Sequence, residues 1–117
     1  MIVRREAGEQ ISWWDDDYFF YGEDLEFCYQ LKEKGWKIYY VPHVSILHQK
    51  GVSGGIKSHS QEISTANAET KQRATKARFD AMRIFYKKQY SHKYPKVVTG
   101  LVLAAIGVKQ HLAERSL

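Results

Sequence analysis

The sequence predicts an α/β fold with few strands and long C-terminal helices, and three observations carry that expectation. Short aromatic and β-branched runs at residues 18–21, 36–42 and 44–48 are bounded by Gly22, Pro42 and the glycines that begin at Gly51, which is the punctuation of strands. Between the first two runs, Leu25, Cys28 and Leu31 recur at helical spacing. From residue 66 to 90, Phe79, Met82, Tyr86 and Tyr90 form an apolar stripe among seven bases, a long amphipathic helix.

Taken in chain order, residues 3–10 predict a short helix weakened by Gly8. Trp13 and Trp14 then precede the acidic run Asp15-Asp16-Asp17, and residues 18–21 predict a short aromatic strand. Residues 23–34 predict a helix with acids in its first turn and lysines in its last, both complementary to the helix dipole; Gly35 is placed to terminate it. Two short strands follow, then the glycine-rich stretch 49–55. Pro95 opens a last helix. Its uncharged stretch, residues 97–108, is too short to cross about 30 Å of hydrocarbon as a helix.

The chain has 117 residues, 44% apolar and 26% charged, which suits one globular domain with a modest core and excludes a disordered chain. Its net charge of +5 conceals a division. Residues 1–35 hold nine acids and four bases, whereas residues 36–117 hold four acids and fourteen bases. A basic back half suits phosphates, nucleic acid or an anionic lipid surface. Cys28 is the only cysteine, so an intrachain disulfide and a cysteine metal site are both excluded; a buried, inert thiol is expected. The first ten residues lack an apolar core of the signal-peptide type, and the expected location is the cytoplasm.

Glu23 and Asp24 stand side by side where the aromatic run ends. By local pattern alone they cap a helix. A carboxylate held ionised at a helix start also suits a base that takes a proton from a hydroxyl. His48 ends the last strand beside the glycine stretch; it is a structural histidine or a metal ligand. The triplet Asp15-Asp16-Asp17 formally fits D-x-D, a pattern that holds a divalent ion against a diphosphate. No nucleotide-binding half precedes it, so an acidic loop is expected instead. Lys50-Gly51 and Ser53-Gly54-Gly55 lack the spacing of a P-loop.

The order of these features, WWDDDYFFYGEDLEFCYQLKEKGWKIYYVPHVSILHQKGVSGG, closely resembles the second half of the catalytic domain of family 2 glycosyltransferases, in particular the bacterial rhamnosyltransferase-like branch. The resemblance covers residues 1 to about 55 and continues more loosely over 66–90. It implies a C-terminal part of a GT-A-type fold, with residues 1–62 as the acceptor-side half and residues 63–117 as a basic amphipathic helical extension. It implies inverting transfer from a nucleotide-diphosphate sugar to a saccharide or lipid-linked acceptor of cell-surface polysaccharide. Asp24 falls on the family's catalytic base and Glu23 on its supporting acid. Trp14 and Tyr21 fall where sugar packs, and His48 falls on a ligand to divalent metal, Mg²⁺ or Mn²⁺. The family's nucleotide-binding strands and true D-x-D are not among these 117 residues, so a missing N-terminal half, supplied elsewhere, is expected. Peripheral association with the inner face of the plasma membrane follows from the basic helix, and nucleic acid is not an expected partner. The rival class is a small basic module that binds nucleic acid or anionic membrane without catalysis.

Overall fold

In a computed structural model of the chain, the described residues are 1–47, 54 and 64–116. They form four helices: α1 (Arg5–Gln10), α2 (Glu23–Glu33), α3 (Ala68–Gln89) and α4 (Lys96–Glu114). Each helix expected from the sequence is present, within three residues of its expected ends except at α4, whose C-terminal end was not assigned. The expected boundary at 62/63 lies outside the described residues.

The expected strands are not formed among the described residues, so the α/β expectation is not borne out by these residues on their own. The reason is pairing. A run rich in Tyr, Ile and Val fits a pleated, half-buried surface, and it becomes a strand only when a neighbour takes up its backbone N–H and C=O groups. No described segment pairs with residues 36–41 or 44–47, and the side chains after Trp36 face solvent: Tyr40 is 90% exposed and Leu47 91%. Residues 18–21 bend instead of extending, because Tyr18 is buried against the helices.

Helix α1 closes with Ser12 donating its N–H to Glu9 and Trp13 donating to Gly8. This requires left-handed backbone at Ser12 (φ 59°) and Trp13 (φ 63°), which costs about 1–2 kcal/mol per residue. The turn lays the Trp13 ring on Gly8, where a Cβ would stand 2.6 Å from the ring. Gly8, a weakness by helix propensity, is thus the residue that admits the indole. Helix α2 ends as expected at Gly35 (φ 82°): Gly35 N–H donates to Lys32 and Trp36 N–H to Leu31, the paired bonds of a Schellman motif. Trp36 then folds back on the apolar cluster of Ala7, Ile11, Phe27 and Leu31 and donates its indole N–H to Gln10 (2.9 Å). Phe27, 2% exposed, anchors this cluster and contributes about 1.5–3 kcal/mol by burial.

Helix α3 starts at Asn67, whose side-chain oxygen accepts from Thr70 N–H (2.8 Å), and ends with Lys87 and Lys88 in its last turn. It packs on the first third of the chain through Glu26. The Glu26 carboxylate is 1% exposed; it accepts from the Tyr18 hydroxyl (3.0 Å), Gln30 (2.9 Å) and Gln89 (2.6 Å). Beside it, Tyr29 meets Phe85 and Tyr90 edge-on, at 5.6 and 6.2 Å between ring centroids.

Pro95 caps α4 without a side-chain bond. The uncharged stretch 97–108 lies inside a helix of 19 residues, long and apolar enough by length and composition to cross a membrane, at about 28 Å for 1.5 Å per residue. One side of α4 rests on α3, and Gln110 accepts there from Arg83. The other side leaves Val97, Leu101, Val108 and Leu112 between 58% and 74% exposed, a second apolar stripe at helical spacing.

Glu26→Ala removes the acceptor of three donors from three segments. The expected loss is about 1–3 kcal/mol, set by the buried Tyr18 hydroxyl, since the two glutamines can turn to water. Glu26→Gln, which keeps an acceptor oxygen, should lose less. Urea unfolding followed by helical circular dichroism measures both, and an unchanged midpoint for Glu26→Ala would show that this carboxylate holds nothing together.

Candidate active site

The site is built around the passage from the acidic run into α2. Lys88 of α3 reaches across to Asp15 (2.5 Å) and Asp17 (2.6 Å), and Asp15 also accepts from Asp17 N–H (3.1 Å). The acidic triplet is therefore tied to a lysine 73 residues further along the chain. Burial acts to raise the Asp15 pKa, but the Lys88 hydrogen bond, the Asp17 N–H bond and the Lys88 charge together outweigh it and hold Asp15 below the usual carboxylate value. Burial likewise acts to lower Lys88, and its two aspartates more than reverse this. Burial and the neighbouring Glu26 together push the Tyr18 phenol far above its ordinary range.

Gly22 makes the turn that aims α2. Its φ of 89° is left-handed, and its Cα lies so close to Tyr18 and Ala81 that a Cβ would meet both at 3.1–3.2 Å. Glu23 and Asp24 follow as the first two residues of α2, where the helix dipole favours negative charge. Gly22 supplies no side-chain cap. Asp24 takes up part of that role by accepting from Leu25 N–H through one oxygen (2.8 Å), and it is otherwise exposed. Glu23 is half-buried. Its Oε2 is shielded from solvent and has no hydrogen-bond partner among the described residues. A shielded carboxylate oxygen without a donor is costly, and such groups concentrate where a ligand supplies the missing bond.

Tyr21 borders a groove of about 600 Å³ together with Leu25, Met82, Phe85, Tyr86 and Ile106. The Tyr86 hydroxyl is also shielded and unpartnered among the described residues. Gly54, from the glycine-rich stretch, lies over Tyr21; a Cβ there would stand 2.9 Å from the Tyr21 hydroxyl. Trp14 does not line this groove. Its ring meets Phe27 at a tilt of 31° (4.5 Å between centroids) at the α1–α2 cluster and is 49% exposed. The structure thus gathers Tyr21, Glu23 and Asp24 at the start of α2 and places Trp14 at the neighbouring cluster. His48 lies outside the described residues.

Two residues that sequence reasoning missed hold this arrangement, Glu26 and Lys88. Glu26 carried one local signal, a glutamine four residues later alongside Phe27 and Leu31 at the same interval. Lys88 carried none, because one base among seven on a helix looks like any other.

Comparison with known proteins places these features in a family. A family model for glycosyl transferase family group 2 matches residues 1–92, from α1 through the end of α3. Two curated proteins of Mycobacterium tuberculosis, from strains CDC 1551 / Oshkosh and ATCC 25618 / H37Rv, are each 40% identical to the chain over 55 residues. Both are N-acetylglucosaminyl-diphospho-decaprenol L-rhamnosyltransferases. The matched stretch is 47% of this chain and 18% of each relative, so the chain spans a minor part of their length. No solved structure matches.

The Asp15–Lys88 and Tyr18–Glu26 contacts set a pH dependence. A depressed carboxylate contributes stability above its unfolded value near 3.9, lost as pH falls through the lower folded value. A raised phenol or lysine contributes stability that is complete below the unfolded value, about 10 for both, and lost as pH rises through the folded one. Resistance to urea should therefore decline below about pH 4 and again above about pH 10. Lys88→Gln should flatten the acid limb and Tyr18→Phe the alkaline limb, each measured against that variant's own stability at pH 7. Limbs that keep the parent's slopes in these variants would rule out the assignment.

Proposed function

This chain belongs to glycosyl transferase family group 2, and from that membership we propose that it carries the acceptor side of an inverting sugar transferase. The observation that carries the reading is the Glu23-Asp24 pair at the start of α2, with one Asp24 oxygen held by Leu25 N–H and the side chain open to solvent. In this reading Asp24 takes the proton from an acceptor hydroxyl as that oxygen attacks the anomeric carbon. The bond to the diphosphate breaks on the opposite face, its electron pair leaves with the diphosphate, and the configuration inverts. The unpartnered Glu23 Oε2 accepts from a second hydroxyl of the acceptor and orients it. Tyr21 walls the acceptor from the groove side, and Trp14 offers its exposed edge at the neighbouring cluster.

The donor is a nucleotide-diphosphate sugar and the acceptor a saccharide or lipid-linked saccharide of the cell envelope. The nucleotide-binding part is supplied from outside these 117 residues. The exposed residues 37–41 and 44–47 join its sheet as strands, which completes a GT-A-type domain and covers their open backbone. A divalent ion, Mg²⁺ or Mn²⁺, with His48 as a ligand, belongs with that donor part. Among the described residues no three His, Cys, Asp or Glu side chains stand together to hold an ion, so no step above runs through one. The relatives' names specify a decaprenol-linked acceptor. A lipid-linked acceptor here agrees with α4, whose exposed apolar stripe and basic neighbours fit a peripheral position on the cytoplasmic membrane face.

Asp24→Asn, assayed in a chain joined to a donor-binding half, should lower transfer by about 10²–10⁴ without changing the helical signal. Turnover within threefold of the parent would exclude Asp24 as the base. Leu101→Glu with Val108→Glu places two charges on the exposed stripe of α4. Co-sedimentation with vesicles containing anionic lipid should fall several-fold, and equal pelleting of parent and variant would place α4 away from the membrane.

A further inference from the structure

We propose that the groove beside Tyr21 holds the polyprenyl tail of a lipid-linked acceptor, with Arg78 at its mouth for the phosphate that joins tail to sugar. The inference rests on the reading of Asp24 as the base, and it deepens that reading by choosing the lipid-linked acceptor over a free saccharide. The groove has a volume of about 600 Å³, and three helices supply its walls: Leu25 of α2, Met82, Phe85 and Tyr86 of α3, and Ile106 of α4, with Tyr21 just before α2. A free saccharide needs hydrogen-bond partners for its many hydroxyls. Beyond Arg78, the side chains here offer only the phenol hydroxyls of Tyr21, Tyr86 and Tyr90. A hydrocarbon chain needs no such partners and gains by leaving water.

The groove stays open because α2 and α3 are pinned together on either side of it. On one side Gly22 stands against Ala81, so close that a Cβ on Gly22 would meet the Ala81 Cβ at 3.2 Å. On the other, Tyr29 packs edge-on against Phe85 and Tyr90, at 5.6 and 6.2 Å between ring centroids. Leu25 lies between these contacts on α2 and is 53% exposed; Met82 lies between them on α3 and is 39% exposed. The two ends of the groove differ. Arg78 lines it one turn of α3 before Ala81, is exposed, and pairs with no carboxylate among the described residues. Gly22 at that end leads directly into Glu23 and Asp24. Residues 78, 82, 86 and 90 follow at intervals of four, a line of α3 about 18 Å long. An acceptor laid along it has its sugar by Asp24, its phosphate on the Arg78 fork and its tail over Met82, Tyr86 and Tyr90. Ile106 is where the groove reaches α4, whose outer side carries the exposed stripe of Val97, Leu101, Val108 and Leu112. With that stripe on a membrane, the tail passes from lipid into the groove along apolar surface.

The test uses the full chain and needs no sugar transfer. Transfer, and its loss in Asp24→Asn, tests the base; tail binding by the chain tests the groove, and either result stands without the other. Farnesyl diphosphate, a short polyprenyl diphosphate, is titrated by calorimetry below its micelle concentration, with inorganic pyrophosphate and farnesol in parallel. The parent should bind farnesyl diphosphate at least tenfold more tightly than pyrophosphate, because only the first carries hydrocarbon to bury. Met82→Glu and Leu25→Glu each put a carboxylate into the groove and should weaken farnesyl diphosphate at least tenfold. Val97→Glu, on the outer stripe of α4, should leave it within twofold of the parent. Arg78→Gln should weaken farnesyl diphosphate several-fold and leave farnesol unchanged. If Met82→Glu loses its helical signal, Leu25→Glu, at the more exposed position, must still weaken binding. The proposal is overturned by a parent that does not bind farnesyl diphosphate or binds it no better than pyrophosphate, by equal weakening in the groove and stripe variants, or by an equal effect of Arg78→Gln on both farnesyl compounds. Loss of farnesyl diphosphate binding when a donor-binding half is joined to the chain would give the groove to that half and overturn it as well.

Discussion

One buried carboxylate organises the described part of this chain. Glu26 sits on the inner side of α2 and accepts from Tyr18 before the helix, from Gln30 within it, and from Gln89 at the far end of α3. A carboxylate removed from water is costly unless its lone pairs are met, and here three donors meet them. The geometry that satisfies Glu26 also determines where Tyr18 lies and how α3 crosses α2. Gly22 then has only the narrow space between Tyr18 and Ala81, and its left-handed turn delivers Glu23 and Asp24 at the helix start. The candidate active site is thus held from behind by a polar contact, and the apolar cluster around Phe27 holds the other side of the same helix.

The charge division between the two ends of the chain has a structural use. The acidic run and the basic helix meet through Lys88, which engages both Asp15 and Asp17. Partly exposed pairs of this kind contribute little stability one at a time. Their value here is register: Lys88 and Gln89 are adjacent, and each grips a different part of the first third of the chain. Of the remaining bases of α3, Arg83 pairs with Asp80, and Arg73, Lys76 and Lys87 stand exposed beside it. The aromatic residues divide in a similar way. Tyr29, Phe85 and Tyr90 pack on one another between α2 and α3, whereas Tyr39 and Tyr40 stand in solvent for want of a neighbouring strand.

Legibility from sequence followed the range of the interactions. The four helices, the Gly35 stop and the position of Glu23-Asp24 at a helix start rest on contacts within one or two turns, and all were readable. The family was readable as well, because the order of short motifs survives in a single chain. The strands were not realised, since residues 36–47 have the composition of strands but no partner among the described residues. Gly8 was read as a defect and is the surface on which Trp13 rests.

What the sequence determined by itself was local: which residues turn into helices, where those helices stop, and which carboxylates stand at the head of α2. Spacing, capping and backbone φ preferences act over a few residues and leave their marks in order along the chain. The tertiary structure alone decided which of thirteen acids would be buried, which lysine would hold the acidic run, and which cations would be left over. Those outcomes depend on groups 63 to 73 residues apart meeting in space, and hydrogen-bond complementarity between distant segments has no period for a sequence to display.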